Sequence, residues 1–478
     1  MFAIRLAAQP ASATTRVLPV GETGILAAGT GAEDAPLDAE ATEICRSADD
    51  PGRAGAVQVL PRPLRTPAKV LIVGVGDGGE AGWRAAGAAA ARAVPGDETL
   101  QVALPAGATS AAVRGLAEGL WLAGYRYRDA PEKPRSAAVE LITENLDGYG
   151  DCLHQARSAV QSVWYARDLT NAPSSLKNPA WFADQVVAEA AKRPGLAVTV
   201  REPAQLEEEG FGGILAVGGG SATPPRLVEL SWSPPTATRH VVLVGKGITF
   251  DTGGVSIKTR EGMKLMRKDM AGAAAVVAVA LAAGDLSLPV RVTALAPLAE
   301  NAVSGSAYRP GDVIRHYDGT TSESTNSDAE GRLVLADALG YAVARLEPDV
   351  VIDLATLTGA NAIALGTRTA ALYSHDDELA NALMAAGQAA GEQMWRLPLP
   401  DDYVEYLRSD IADRHSSPAQ GAGSVVAALY LQEFLGDRVT SWAHLDMSAP
   451  SWTDKSDLDL TKGATGWGVR TLIRYLSA

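Results

Sequence analysis

Short runs rich in valine, leucine and isoleucine recur along this sequence, and alanine-rich stretches long enough for helices lie between them. In the first third, Lys69–Val73 and Leu100–Leu104 flank the helical stretch Ala81–Val94. Further on, Ala197–Arg201, His240–Val244, Val290–Leu295 and Val350–Leu354 alternate with helical segments around 182–192, 271–283 and 333–345. Strands spaced this way, each buried on both faces, predict an α/β fold with a mostly parallel central sheet flanked by helices. At 478 residues the chain exceeds what one hydrophobic core covers. The expectation is two domains: a smaller N-terminal α/β domain over 1–150, and a larger catalytic domain over 151–478 that opens with a linker helix at about 151–168. In such sheets ligands sit beyond the carboxyl ends of the strands, so the polar residues placed there carry the functional question.

Charge narrows the partners. The chain carries 42 basic and 56 acidic residues, a net charge of -14, with no basic block to relieve it. Neither nucleic acid nor an anionic membrane is an expected partner. No apolar stretch approaches the roughly 20 residues of a membrane span, and the opening residues do not read as a signal peptide, so a cytoplasmic protein is expected. Only Cys45 and Cys152 are present, too few for a thiolate metal site.

One motif points elsewhere. Gly74-Val-Gly-Asp-Gly-Gly79 follows a strand and precedes a helix, the context of a dinucleotide site and hence of a nicotinamide-dependent oxidoreductase. The acidic residues that would bind the ribose, Asp97 and Glu98, fall before the next strand instead of at its end, so a glycine turn is the favoured reading.

The acidic residues after the later strands are more informative. Lys246, Asp251 and Lys258 fall in a glycine-rich segment directly off the His240 strand, where ionisable groups are costly unless paired or bound to metal. Asp269 comes just before the apolar stretch that starts at Ala271. Asp328, Glu330 and Arg332 occupy alternate positions, which on extended backbone share one side. Asp251, Asp269, Asp328 and Glu330 together would concentrate four negative charges, and two divalent cations balance them. Carboxylate oxygens suit Mg²⁺, Mn²⁺ or Zn²⁺. None of the six histidines falls in these segments and no H-E-x-x-H is present, which disfavours a histidine-based zinc site.

These segments closely resemble the leucyl aminopeptidase family of dinuclear metallopeptidases. Asn326-Ser-Asp-Ala-Glu-Gly-Arg-Leu333 is nearly that family's signature octapeptide, and Glu300–Asp312, Asp353–Ala360 and Gly463–Arg470 extend the resemblance over most of the second domain. The resemblance implies that Asp251, Asp328 and Glu330 hold one metal and that Lys246, Asp251, Asp269 and Glu330 hold the other. It implies that Lys258 polarises the scissile carbonyl and that Arg332 holds a bicarbonate. Met266, Thr356, Gly359 and Ala464 would line a pocket for an apolar, leucine-like first side chain of short peptides with a free N-terminus. The implied enzyme is an aminopeptidase working through a two-metal-activated hydroxide, with Zn or Mn and conceivably Mg, and assembled as a homohexamer. A non-catalytic relative, or a specialised one acting on a dedicated substrate, is the alternative.

Overall fold

The structure is a computed structural model and describes residues 1–9, 15–22, 24–26, 35–94, 99–127 and 138–478; Asp97 and Glu98 lie outside them. The chain divides into two compact units, Met1–Gln161 with Thr453–Lys462, and Ser162–Trp452 with Gly463–Ala478. Helix Gly150–Asn171 contributes to both, so the division falls inside it instead of at residue 150, and a short segment far along the chain returns to the first unit. Among the described residues no helix is long and apolar enough to cross a membrane.

In the first unit the sheet runs in the order Ala3–Ala7, Ala138–Ile142, Leu100–Ala103, Thr15–Gly21, Lys69–Gly74, Val57–Pro61. Its inner neighbours are parallel, and Val57–Pro61 closes one edge antiparallel. Helices Glu80–Ala93 and Ser110–Leu122 pack their alanine and glycine faces together over a core of Leu71, Val73, Leu100, Val102, Leu116 and Leu120. The glycine motif is a turn in this frame. A Cβ on Gly74 would stand 2.1 Å from the carbonyl oxygen of Arg53, so only glycine permits that approach, and the Asp77 carboxylate accepts from the Gly79 amide at 2.9 Å. The loop's own acid thus occupies an amide that a phosphate would need.

The second unit is built on a sheet ordered Met394–Arg396, Ala370–Tyr373, Trp442–Asp446, Val350–Ala355, His240–Gly245, Arg291–Asn301, Arg226–Trp232, Leu196–Arg201, with Gly247–Asp251 also paired to Arg291–Asn301. The centre is parallel: His240–Gly245 lies between Val350–Ala355 and Arg291–Asn301 in register. The Leu196 and Arg226 strands extend the sheet antiparallel. Helix Ala271–Asp285 is buried along nearly its whole length, and helix Glu330–Tyr341 is buried throughout. Such continuous burial on both faces is what the unbroken apolar runs predict.

Two local expectations change. Asp251 does not sit in a loop: Gly247–Asp251 continues as a strand after a break at Lys246, and Asp251 pairs with Asn301 at the end of its neighbour. Nor do Asp328, Glu330 and Arg332 share an extended segment, because Glu330 opens a helix. A carboxylate in the first helical turn is favoured by the helix dipole, and residues two apart on a helix point in different directions.

Candidate active site

The parallel strands end where the ionisable residues gather. Lys246 lies at the break between His240–Gly245 and Gly247–Asp251, tied by its amide to the Leu354 carbonyl at 2.9 Å. Asp251 ends the second of these strands. Asp269 falls between the turn Met266–Lys268 and helix Ala271–Asp285, while Glu330 and Arg332 begin helix Glu330–Tyr341. All five side chains are buried, and Lys258 and Asp328 are half-buried beside them.

Six of these seven groups, all but Arg332, form one cluster in two linked parts. Lys246 Nζ lies 3.0 Å from Asp269 Oδ2, 2.8 Å from Glu330 Oε1, and donates to the Thr356 carbonyl at 3.0 Å. Lys258 Nζ lies 2.7 Å from Asp251 Oδ2 and pairs with Asp328 Oδ1. Asp251, Asp328 and Glu330 each offer an oxygen, and these oxygens lie within 4.8 Å of one another. The cluster depends on close backbone approach: a Cβ at Gly331 would stand 2.5 Å from Lys246 Cε.

Arg332 points away from the acids. Its Nη1 donates to the Ser416 carbonyl at 2.7 Å, and its buried Nε has no hydrogen-bond partner. With Asn326, Asp328, Leu357, Thr358 and Ser417 it lines a cavity of about 200 Å³. Met266 and Ala464 are not among the walls of that cavity, and the chain near Gly359 enters it through Thr358 and Ala360. The Thr356 hydroxyl is already engaged, donating to Asp269 Oδ1 at 2.6 Å.

Electrostatics follow from this crowding. Burial alone would lower the pKa of Lys246, but Asp269, Glu330 and Asp251 outweigh it and hold the ammonium charged. Lys258 is raised in the same way, against burial, by Asp251 and Glu330. Burial, reinforced by Asp251, pushes the Glu330 carboxyl up to about 8. Burial also raises Asp328, although Lys258 opposes it.

The donor set fits divalent cations. Asp269 Oδ2, Asp328 Oδ1 and Glu330 Oε1 are buried, accept no hydrogen bond of good geometry, and meet only the lysine ammoniums. Buried carboxylate oxygens that meet no partner but an ammonium are suited to hard or borderline ions that take over its counter-charge.

Neutral residues that the ionisable pattern does not reveal hold the acids in place. Asn301 Nδ2 donates to Asp251 Oδ1 at 2.8 Å and to the Ser327 carbonyl at 2.9 Å, joining two of the acidic segments. The Gly253 amide donates to the same Asp251 oxygen at 2.8 Å. The sequence signal for Asn301 is a buried polar residue closing an otherwise apolar strand.

An α/β sheet that delivers buried carboxylates to the ends of its parallel strands, with lysine side chains as their counter-charges, is the build of a metal-dependent hydrolase. Comparison with known proteins agrees. The catalytic domain of the cytosol aminopeptidase family matches residues 164–473, and that family's N-terminal domain matches residues 17–134. A probable cytosol aminopeptidase of Corynebacterium glutamicum is 42% identical over 430 residues, covering 89% of this chain and 85% of that protein. Among solved structures, the bottromycin maturation enzyme BotP in complex with Mn superposes with a TM-score of 0.86 at 41% identity, covering 97% of this chain and 99% of that one. A tomato leucine aminopeptidase variant superposes with a TM-score of 0.87 at 28% identity, covering 100% and 96%. The chain belongs to the cytosol aminopeptidase family and is a metallo-aminopeptidase.

Proposed function

We propose that this aminopeptidase removes an apolar, leucine-like N-terminal residue from short peptides, using two divalent cations, Mn²⁺ or Zn²⁺, held by Lys246, Asp251, Asp269, Asp328 and Glu330. The observation that carries this reading is the convergence of Asp251, Asp328 and Glu330 oxygens within 4.8 Å, in a cluster whose buried acids, among the described residues, are ion-paired only with Lys246 and Lys258. The bound cations would supply Lewis acidity to a carbonyl and lower the pKa of water. Asp251 and Glu330 would be shared between the two cations, as the family resemblance implies. Lys246 would join the ligands as the neutral amine, without the proton that Asp269, Glu330 and Asp251 favour on it. The Lys258 ammonium stays charged and polarises the scissile carbonyl as negative charge develops there. Arg332, which lines the cavity next to Asp328, would hold a bicarbonate there, an anion able to supply general-base help. Met266, Thr356, Gly359 and Ala464 form the surroundings of the first side chain. The same reading makes the protein a cytoplasmic homohexamer in which residues 1–150 contribute to assembly and access.

Likeness to the bottromycin maturation enzyme at 41% identity, against 28% for the tomato enzyme, favours a second version: the same reaction on a dedicated peptide. A substrate panel separates the two. Metal-stripped protein would be assayed on leucine p-nitroanilide and dipeptides before and after adding Mn²⁺, Zn²⁺ or Mg²⁺. Activity is expected to return with metal, to fail on N-acetylated substrates, and to fall by a factor on the order of 10³ in Glu330→Ala. Folded, metal-loaded protein that is inactive across the panel would overturn the general reading in favour of the dedicated one.

A further inference from the structure

Lys177 is a lysine in the wrong place for an ordinary surface residue. It lies between helix Gly150–Asn171 and helix Pro179–Ala190, and it is 1% exposed. Its Nζ donates to the Thr170 carbonyl at 2.8 Å, to the Arg267 carbonyl at 2.5 Å, and meets Met270 Sδ at 3.3 Å. Burial, with Arg267 adding to it, pushes this amine well below the ordinary lysine range, and its N–H groups are directed at the two carbonyls. No carboxylate forms an ion pair with it among the described residues.

A buried polar amine is costly, and an apolar side chain of similar length would fill the space without that cost. What the amine provides is fixation of a particular segment. Two of its three partners belong to Met266–Met270, the turn that carries Asp269. The same turn is held on other sides, where the Arg267 guanidinium lies 5.0 Å over the Trp452 ring and Lys268 Nζ donates to the Ser448 carbonyl at 2.7 Å. Thr356 occupies Asp269 Oδ1, which leaves Oδ2 facing Lys246. The orientation of that single free oxygen therefore depends on where the backbone from Arg267 to Met270 is held, and Lys177 holds both ends of it.

We propose that Lys177 is a positioning residue for the metal site: by clamping the Arg267 carbonyl and the Met270 side chain from the core, it aims Asp269 Oδ2 at the cation. This rests on the reading of Asp269 as a metal ligand. Residues that orient ligands from behind are worth about 10–100-fold in metal affinity.

The test is titration of the metal-stripped full chain with Mn²⁺ by calorimetry, comparing wild type, Lys177→Met and Asp269→Asn, with circular dichroism to confirm folding. Lys177→Met is expected to bind Mn²⁺ about tenfold more weakly, with kcat restored when Mn²⁺ is saturating. A purely structural lysine would lower the thermal midpoint and leave Mn²⁺ affinity unchanged, and that result overturns the proposal. Should Lys177→Met not fold, Lys177→Leu takes its place; it removes the donors to both carbonyls while keeping an apolar side chain in the space, and unchanged affinity there is equally fatal. If Asp269→Asn weakens Mn²⁺ binding and the Lys177 variants do not, only the positioning role falls. If Asp269→Asn binds Mn²⁺ as wild type does, the ligand assignment itself is wrong.

Discussion

A methyl group at Gly331 would stand 2.5 Å from Cε and 2.7 Å from Nζ of Lys246. The obstacle is the end of a flexible side chain, so it can yield, and that makes the position a probe of function more than of stability. Gly331→Ala is expected to displace the Lys246 amine from Asp269 and Glu330 and to lower kcat on leucine p-nitroanilide by about 10²-fold, the cost of misplacing a reacting group by roughly 1 Å. The thermal midpoint should change little. At this scale the sequence reveals the charged members of the site and hides the neutral ones. Asp251, Asp269, Asp328 and Glu330 stand out because carboxylates in apolar surroundings need a reason. Asn301 and Thr356 do not stand out, since a neutral amide or hydroxyl looks the same in sequence whether it aims a ligand or merely closes a turn. Only the distances to Asp251 and Asp269 separate the two cases.

Helix Glu330–Tyr341 links the site to the core of its unit. Its first turn presents Glu330 and Arg332, and a turn further on Asp337 anchors it from behind. Asp337 Oδ2 accepts from the Ile214 amide at 2.8 Å, and Oδ1 accepts from the Tyr317 amide at 3.2 Å and lies 3.0 Å from His316 Nδ1. Asp337→Ala strands these buried donors, and a loss of about 3 kcal/mol in unfolding free energy by denaturant titration is expected. The elements themselves were unevenly legible. Val350–Ala355 and His240–Gly245 read as strands because their apolar runs are nearly unbroken. Trp442–Asp446 lies in the same sheet yet carries His444 and Asp446, which mask the pattern. The mask lifts once their partners are known: His444 Nδ1 lies 2.5 Å from Asp353 Oδ1, and Asp446 accepts from the amides of Leu357 and Thr358. Pairing across strands makes polar residues admissible in a core, and such pairs are nonlocal. The helix expected around 333–345 begins earlier, at Glu330, and its first turn reads as extended for a related reason, since alternation of charges resembles a strand face when the partners of each charge are unknown.

On the scale of the whole molecule, His240 supplies a contribution to stability that acid removes. His240 is buried with Nδ1 at 3.0 Å from the Leu346 carbonyl and Nε2 at 2.9 Å from the Thr293 hydroxyl. The carbonyl can only accept, so Nδ1 carries the proton and Nε2 accepts from Thr293. Burial, with Arg291 adding to it, brings the pKa down to about 4. The unfolded chain, with an ordinary histidine near 6.5, binds the proton first as pH falls. Stability from this group is full above about 6.5 and is lost as pH drops towards 4. The thermal midpoint should fall across that window, and His240→Gln should show a shallower fall. At the other end of the same unit, Lys246 and Lys258 sit among the acids as resident counter-charges. Small metalloproteins whose ligands repel one another cannot fold until an ion arrives. Here the two ammoniums already neutralise part of that repulsion, so these carboxylates come together in the folded chain with a counter-charge of their own. On the ligand set proposed above, a cation would be taken up in exchange for a proton, and metal supply would govern activity more than folding.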